Sequence, residues 1–317
     1  MAMTRPSGFS LTHTGSDKLT KEDIAREFGQ IKERLTVEFK SESEKLASLL
    51  LTLEEFSQFE LGRFLIKNKS LSGYWTWYII LGFRNNAITS PVEKFFVEQA
   101  PAVLATQHRF AIFQSLLIKH IKSNSVVCSL PCGMMADLLT LTLPKNVKEV
   151  RFVGIDLDST VFELAKALAK QLNVRNSYEF FKKDAWDLNI ENELDIITSN
   201  GLNIYEKDDS KVVALYKGMY RALKTNGHLI CSALTPPPMM TTNCEWDMEQ
   251  INKEDLATAG ALMKTILQAT WSNFRSSEKT CEQLREAGFE NIEIVWDKQK
   301  MFPTFSAQKL PRPSTSS

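Results

Sequence analysis

A few glycines, acids and amides in this chain stand just after short apolar runs, and their types suit backbone approach to a ligand and the acceptance of hydrogen bonds from it. Gly133 closes Cys128-Ser-Leu-Pro-Cys-Gly133, where a residue without Cβ lets backbone approach a ligand closely. Asp156, in Val153-Gly-Ile-Asp-Leu-Asp158, follows 23 residues later, a separation that also suits a dinucleotide site. Asp184 stands in Lys183-Asp-Ala-Trp186, and Ser199-Asn-Gly201 ends a further apolar run. Tyr205, Glu206 and His108 are the nearby residue types able to take a proton. Each has a plainer reading. Gly133 suits an ordinary turn, Asp156 a helix start, Asp184 a turn cap, and Glu206-Lys-Asp-Asp209 a solvated acidic helix start. The four histidines show no His-x-x-His spacing and no clustered Asp or Glu partners, so no metal is expected. Cys128 and Cys132 read as small buried residues, with a reactive thiol the minor alternative.

Five apolar runs position these residues: Val126–Leu130, Val150–Ile155, Tyr178–Lys182, Leu194–Thr198 and His228–Ala233. Helical patterns separate them, which is the rhythm of βαβ units and so of a parallel sheet with helices on both faces. Ligands in such sheets bind beyond the carboxyl ends of the strands. Two further runs, 291–296 and 301–306, are separated by four residues and so pair as a hairpin. The expected fold is α/β: a doubly wound, mostly parallel seven-stranded sheet with a terminal antiparallel hairpin and a helical N-terminal extension.

Before the sheet, a helix is expected from near Thr20, with Ile24, Phe28, Ile31 and Leu35 on one face. Another is expected around 92–121. Asp158 or Thr160 is expected to cap the helix after the second strand. Ser210 is expected to cap the helix after the fourth, and Gly227 to end it. Residues 236–275 read as an insertion with a helix from Asn252 or Lys253 to about Trp271. The aromatic run Tyr74, Trp75, Trp77 and Tyr78 suits either packing or a lid. The expected division is a disordered stretch over 1–19, a helical region or lid over 20–105, a sheet domain over 106–310 and a disordered tail over 311–317.

Hydrophobic content of 43% and charged content of 24% are those of a globular protein. The 38 basic and 38 acidic residues cancel, so no global field draws nucleic acid or an anionic membrane. No stretch is apolar for the roughly 18 residues that a membrane span requires. Five scattered cysteines without a Cys-x-x-Cys pair suit a reducing, cytoplasmic setting.

A doubly wound core ending in an antiparallel hairpin resembles the class I S-adenosylmethionine-dependent methyltransferases over about residues 106–310. The resemblance implies S-adenosylmethionine as cofactor and assigns residues to it. Cys128–Gly133, with Ser129 and Pro131, is similar to the first glycine loop beneath the methionine part. Asp156 is similar to the acid that holds the ribose hydroxyls, and a carboxylate can accept both. Leu157 would pack on adenine. Asp184 would take the adenine amine, and the Ala185 N–H would face a ring nitrogen. Ser199, Asn200 and Gly201 would lie near the reactive methyl. The first loop departs from the family, which usually has an acid at Ser129 and glycines at Pro131 and Met135. Arg109 is expected to compensate by pairing bidentately with the cofactor carboxylate.

The implied reaction is in-line methyl transfer to a small, hydrophobic or amphiphilic molecule, which chiefly needs alignment and exclusion of water. A hydroxyl acceptor would also need a base, for which Tyr205, Glu206 and His108 are the candidates. A homodimer is left open. A non-catalytic protein that keeps the fold to bind cofactor is the alternative. An NAD-dependent oxidoreductase fits less well, because residues 129–135 lack Gly-x-Gly-x-x-Gly.

Overall fold

The computed structural model describes residues 20–269 and 273–311. The expectations for 1–19, for 312–317 and for Trp271 lie outside the described residues. The chain forms two units. One comprises residues up to Gln107 together with Met248–Ser272, and the other comprises His108–Asp247 with Asn273–Ser317.

The second unit is built on a seven-stranded sheet. In chain order its strands are β1 (Val126–Ser129), β2 (Arg151–Asp156), β3 (Ser177–Lys182), β4 (Leu194–Ser199), β5 (Leu223–Ser232), β6 (Glu290–Val295) and β7 (Thr304–Gln308). Their order across the sheet is β3-β2-β1-β4-β5-β7-β6. The first five pair in parallel and β7 is antiparallel to both neighbours. The central strands are largely apolar and buried, as parallel strands between layers of helices are. Cys128 of β1 stands opposite Val153 on one side and Ile197 on the other, and all three are buried. Tyr216, Met219, Leu229, Phe289 and Phe305 fill the same core.

Local chemistry explains where this unit departs from the expected boundaries. The helix after β2, α8 (Thr160–Gln171), begins at Thr160 itself, and Asp158 Oδ1 accepts from the Thr160 N–H at 3.0 Å. The helix after β4, α9 (Asp209–Ala222), is capped by Asp208, which accepts from the Ser210 N–H at 2.8 Å, and not by Ser210. Gly227 does not end that helix; it lies inside β5. The second hairpin strand starts at Thr304, because Met301 and Phe302 fold instead around the Asp297 carboxylate.

The first unit is helical: α1 (Lys21–Glu38), α2 (Ser43–Ser57), α3 (Glu60–Asn68), α4 (Gly73–Ile80) and α5 (Pro91–Glu98). Thr20 caps α1 by accepting from the Asp23 N–H, and Ile31 and Leu35 are buried on its inner face. The single helix expected over 92–121 is two. The long α6 (Pro101–His120) starts afresh at Pro101, which lacks the N–H that a continuous helix would use. In α4, Trp75 and Tyr78 are buried and meet edge to face at 5.2 Å, which is helix packing. The segment expected as an insertion in the sheet domain joins these helices. Its helix α10 (Lys253–Gly260) runs on as a π-helical turn over 261–266. Arg34 of α1 donates to the carbonyls of Thr265 and Ile266 at 2.8 and 2.7 Å. Among the described residues no helix is long and apolar enough to cross a membrane.

Candidate active site at the carboxyl ends of the strands

The loop after β1 is fixed from two sides. Gly133 has φ 47°, a conformation that favours glycine, and its N–H donates to Asp156 Oδ2 at 2.8 Å. Asp156 Oδ1 accepts from the Asp158 N–H at 3.0 Å. Gly133 and Asp156 therefore meet in space. The carboxylate is half-buried, and that burial holds its pKa above the ordinary carboxylate value despite the two backbone donors. The next side chain, Leu157, is 64% exposed, an unusual setting for a leucine beside a half-buried acid.

A buried acid stands beside Ser129. Asp137, in the short helix α7 (Ala136–Leu139), is buried and turns its carboxylate back to the end of β1. Ser129 Oγ donates to it at 3.1 Å, and Thr198 Oγ1 of β4 donates at 2.6 Å. Burial raises the pKa of Asp137, and the two hydroxyls oppose that rise. Asp137 was not singled out from the sequence, because its partners lie eight and 61 residues away. Pro131 follows Leu130 through a cis peptide. Cys128 and Cys132 are buried, and burial drives both thiols far above the ordinary thiol range, which removes the reactive-thiol reading.

After β3, Asp184 is exposed and its Oδ1 accepts from the Trp186 N–H at 2.9 Å, the turn-capping arrangement. Ala185 is buried against the sheet core. After β4, Ser199 is buried, Gly201 has φ 82°, and Asn200 Oδ1 is a buried acceptor with no donor among the described residues.

The three candidate proton acceptors differ in what already binds them. Glu206 Oε1 accepts from the Asp208 N–H at 2.8 Å, so its carboxylate serves the entry to α9. Tyr205 keeps its proton at neutral pH, since its surroundings push the phenol pKa up more than Arg109 draws it down. His108 Nδ1 lies 3.1 Å from Gln299 Oε1. An amide oxygen only accepts, so Nδ1 is the donor in this contact.

Two arginines are buried in this unit. Arg275 has each nitrogen employed: Nε donates to Asp209 at 2.8 Å, Nη1 to the Asn203 carbonyl at 2.9 Å and Nη2 to the Glu206 carbonyl at 2.7 Å. It anchors the 203–206 turn that carries Tyr205. Arg109, 5% exposed, donates from Nη1 to Ser232 Oγ at 3.3 Å and has its guanidinium carbon 4.4 Å from the centre of the Phe302 ring. Its Nε has no partner among the described residues. Arg109 therefore stands with the ends of β4 and β5 and the β6–β7 loop. That loop was not read as functional. Asp297 organises it by accepting from the N–H groups of Gln299 at 3.0 Å, Met301 at 3.4 Å and Phe302 at 2.7 Å.

Comparison with known proteins bears on the fold and the family. No curated protein matches the chain. A possible exported protein from Bordetella parapertussis is 33% identical, with 93% of this chain and 98% of that one covered and a TM-score of 0.86. The fold is shared with magnesium protoporphyrin IX methyltransferase from Synechocystis, solved with bound S-adenosylhomocysteine. That match has 14% identity, coverage of 75% and 94%, and a TM-score of 0.51. It is also shared with the S-adenosylmethionine-dependent methyltransferase SibL, at 11% identity, coverage of 85% and 76%, and a TM-score of 0.53. The family described as "Methyltransferase domain" matches residues 121–293, more than half of the 317. The chain belongs to that family, and its sheet is that of the class I S-adenosylmethionine-dependent methyltransferases.

Proposed function

We propose that this protein transfers a methyl group from S-adenosylmethionine to a small molecule, with the cofactor over the ends of β1, β2 and β3. The observation that carries the reading is the pair Asp156 and Leu157. Asp156 is an acceptor-only group whose two oxygens are each aimed by one backbone N–H, and they keep lone pairs for ribose hydroxyls. Leu157 beside it is exposed and apolar, a platform for a purine face. The residues present fit the cofactor. Asn200 Oδ1, a buried acceptor lacking a donor, suits an amine, and the Ser129–Gly133 loop is held open by Asp156 and Asp137. Asp184 and Ala185 would border the adenine, and Ser199 and Gly201 the methyl end.

When bound, the cofactor supplies an electrophilic methyl on a sulfonium. The protein's part is to align the acceptor and keep water out. For a hydroxyl acceptor, His108 is the group we assign to take the proton at Nε2, with Gln299 fixing its tautomer. Tyr205 would act as a wall and hydrogen-bond donor and Glu206 as a helix-entry residue. The Phe302 ring gives the acceptor side an apolar surface, in keeping with an amphiphilic substrate. All five cysteines are free, which suits a reducing compartment such as the cytoplasm.

Calorimetric titration with S-adenosylmethionine and S-adenosylhomocysteine tests the reading. Binding that Asp156→Ala abolishes is expected. No heat of binding to the wild type at millimolar ligand would refute it.

A further inference from the structure

Arg109 carries a charge that no carboxylate among the described residues pairs with directly. It is 5% exposed, its hydrogen bond among the described residues goes to a neutral hydroxyl, and its Nε has no partner. The acid that acts on it, Asp297, is committed to three backbone N–H groups of its own loop. A guanidinium remains charged near neutral pH even where burial draws its pKa down to about 10, as it does here. Buried charges are costly unless paired. The same unit shows what a structural arginine looks like, since Arg275 is buried with Nε, Nη1 and Nη2 all bonded.

The position of Arg109 says which ligand would answer it. Its neighbours are Ser232 at the end of β5, Phe302 in the β6–β7 loop and Gly201 after β4, where an added Cβ would lie 3.5 Å from Nη1. In the strand order β5 and the β6–β7 loop fall on the far side of β4 from β2 and β3, whose ends carry Asp156 and Asp184, and Gly201 stands at the end of β4 itself, between the two groups. We propose that Arg109, with Ser232, binds a carboxylate on the methyl acceptor, so that the substrate is an organic acid and not a neutral molecule. The proposal rests on the methyltransferase reading above. It gives Arg109 to the acceptor in place of the cofactor carboxylate expected from the sequence. A planar fork of N–H donors matches a carboxylate. A single guanidinium beside one hydroxyl matches the charge of a carboxylate more closely than that of a phosphate dianion. The carboxylate would be an anchor, because an ion-paired oxygen is a weak nucleophile; the methylated atom lies elsewhere on the acceptor.

The test is a set of titrations on full-length protein saturated with S-adenosylhomocysteine. The probes are benzoate and hexanoate, with benzamide and hexanamide as neutral counterparts. The proteins are wild type, Arg109→Met, Arg109→Lys and Ser232→Ala. The acids should bind the wild type at least about tenfold more tightly than the amides, the worth of one charge-assisted hydrogen bond. Arg109→Met should lose that preference, while Arg109→Lys and Ser232→Ala should keep part of it. S-adenosylhomocysteine should bind Arg109→Met within about twofold of wild type, the scatter expected of an uninvolved residue. Equal binding of acids and amides, no acid binding at 10 mM, or undiminished acid preference in Arg109→Met would each overturn the proposal. So would loss of S-adenosylhomocysteine binding in a folded Arg109→Met, which would return the arginine to the cofactor. Failure of wild type to bind S-adenosylhomocysteine at all would instead remove the underlying methyltransferase reading. Should Arg109→Met not fold, Arg109→Lys and Ser232→Ala decide by the same comparison.

Discussion

Asp156 and Arg109 are both charges withdrawn from solvent near strand ends of one sheet, and the protein treats them in opposite ways. Asp156 receives an N–H from Gly133 and another from Asp158, so backbone fixes the carboxylate before any ligand arrives. Arg109 is more deeply buried yet has a single 3.3 Å bond to a serine. The difference teaches how each half of the site works. One half is preorganised to accept hydrogen bonds from hydroxyl and amine groups. The other holds a buried guanidinium without a direct carboxylate partner among the described residues, which the proposal gives to a ligand. Arg275 makes the contrast sharper, since it shows that the same unit can satisfy a buried guanidinium when its role is to hold a turn in place.

The largest expected effect falls on the acceptor-only half. Asp156→Ala should weaken S-adenosylhomocysteine binding by at least about 100-fold, since two hydrogen bonds to a charged group, roughly 1.5–3 kcal/mol each, are lost. A loss below tenfold by calorimetry would break the comparison at its first term.

The two arginines should separate in stability. Arg275→Met should cost about 2–3 kcal/mol in urea unfolding, because Asp209 and two carbonyls lose their donor. Arg109→Met should stay within about 1 kcal/mol of wild type, because a charge with little compensation is removed. Equal costs would show that Arg109 is structural as well.

Asp137→Asn should cost about 1–2 kcal/mol, with a distinctive pH dependence. The folded-state pKa of Asp137 is raised above the ordinary 3.8, so just above pH 3.8 the native state holds a proton that the unfolded chain has released. That contribution to stability is present at and below pH 3.8 and is lost as pH rises through the folded value. The gap between wild type and Asp137→Asn should therefore narrow with rising pH. A gap that widens would mean that the hydroxyls of Ser129 and Thr198 hold the carboxylate ionised.

The smallest effect is expected at Leu157. Leu157→Ser should weaken S-adenosylhomocysteine binding about fivefold through lost apolar contact, with unfolding unchanged because the side chain is already exposed.

Much of this was readable along the chain because it is local. The parallel strands announce themselves as apolar runs, and Gly133 and Asp156 drew notice by their places after two of those runs, though the 2.8 Å bond between them was not foreseen. What escaped depends on folding distant residues together. Asp137 stands beside Ser129, but only a turn of α7 returns it to β1 and only the β1–β4 pairing brings Thr198 to it. Asp297 carries no local signal in the sequence, because the three N–H groups that converge on it do so only in the folded loop. The grouping of Met248–Ser272 with the N-terminal helices is likewise a long-range matter, since its local helical pattern is the same in either unit. The cap of α9 was misplaced by two residues because Asp208 and Ser210 are equally good capping types.

The division of the site is tested most directly by a crystal structure of the protein with S-adenosylhomocysteine. The account predicts ribose hydroxyls on the Asp156 carboxylate, adenine on Leu157 and an Arg109 guanidinium that makes no contact with the ligand. A cofactor carboxylate seated on Arg109 would contradict it.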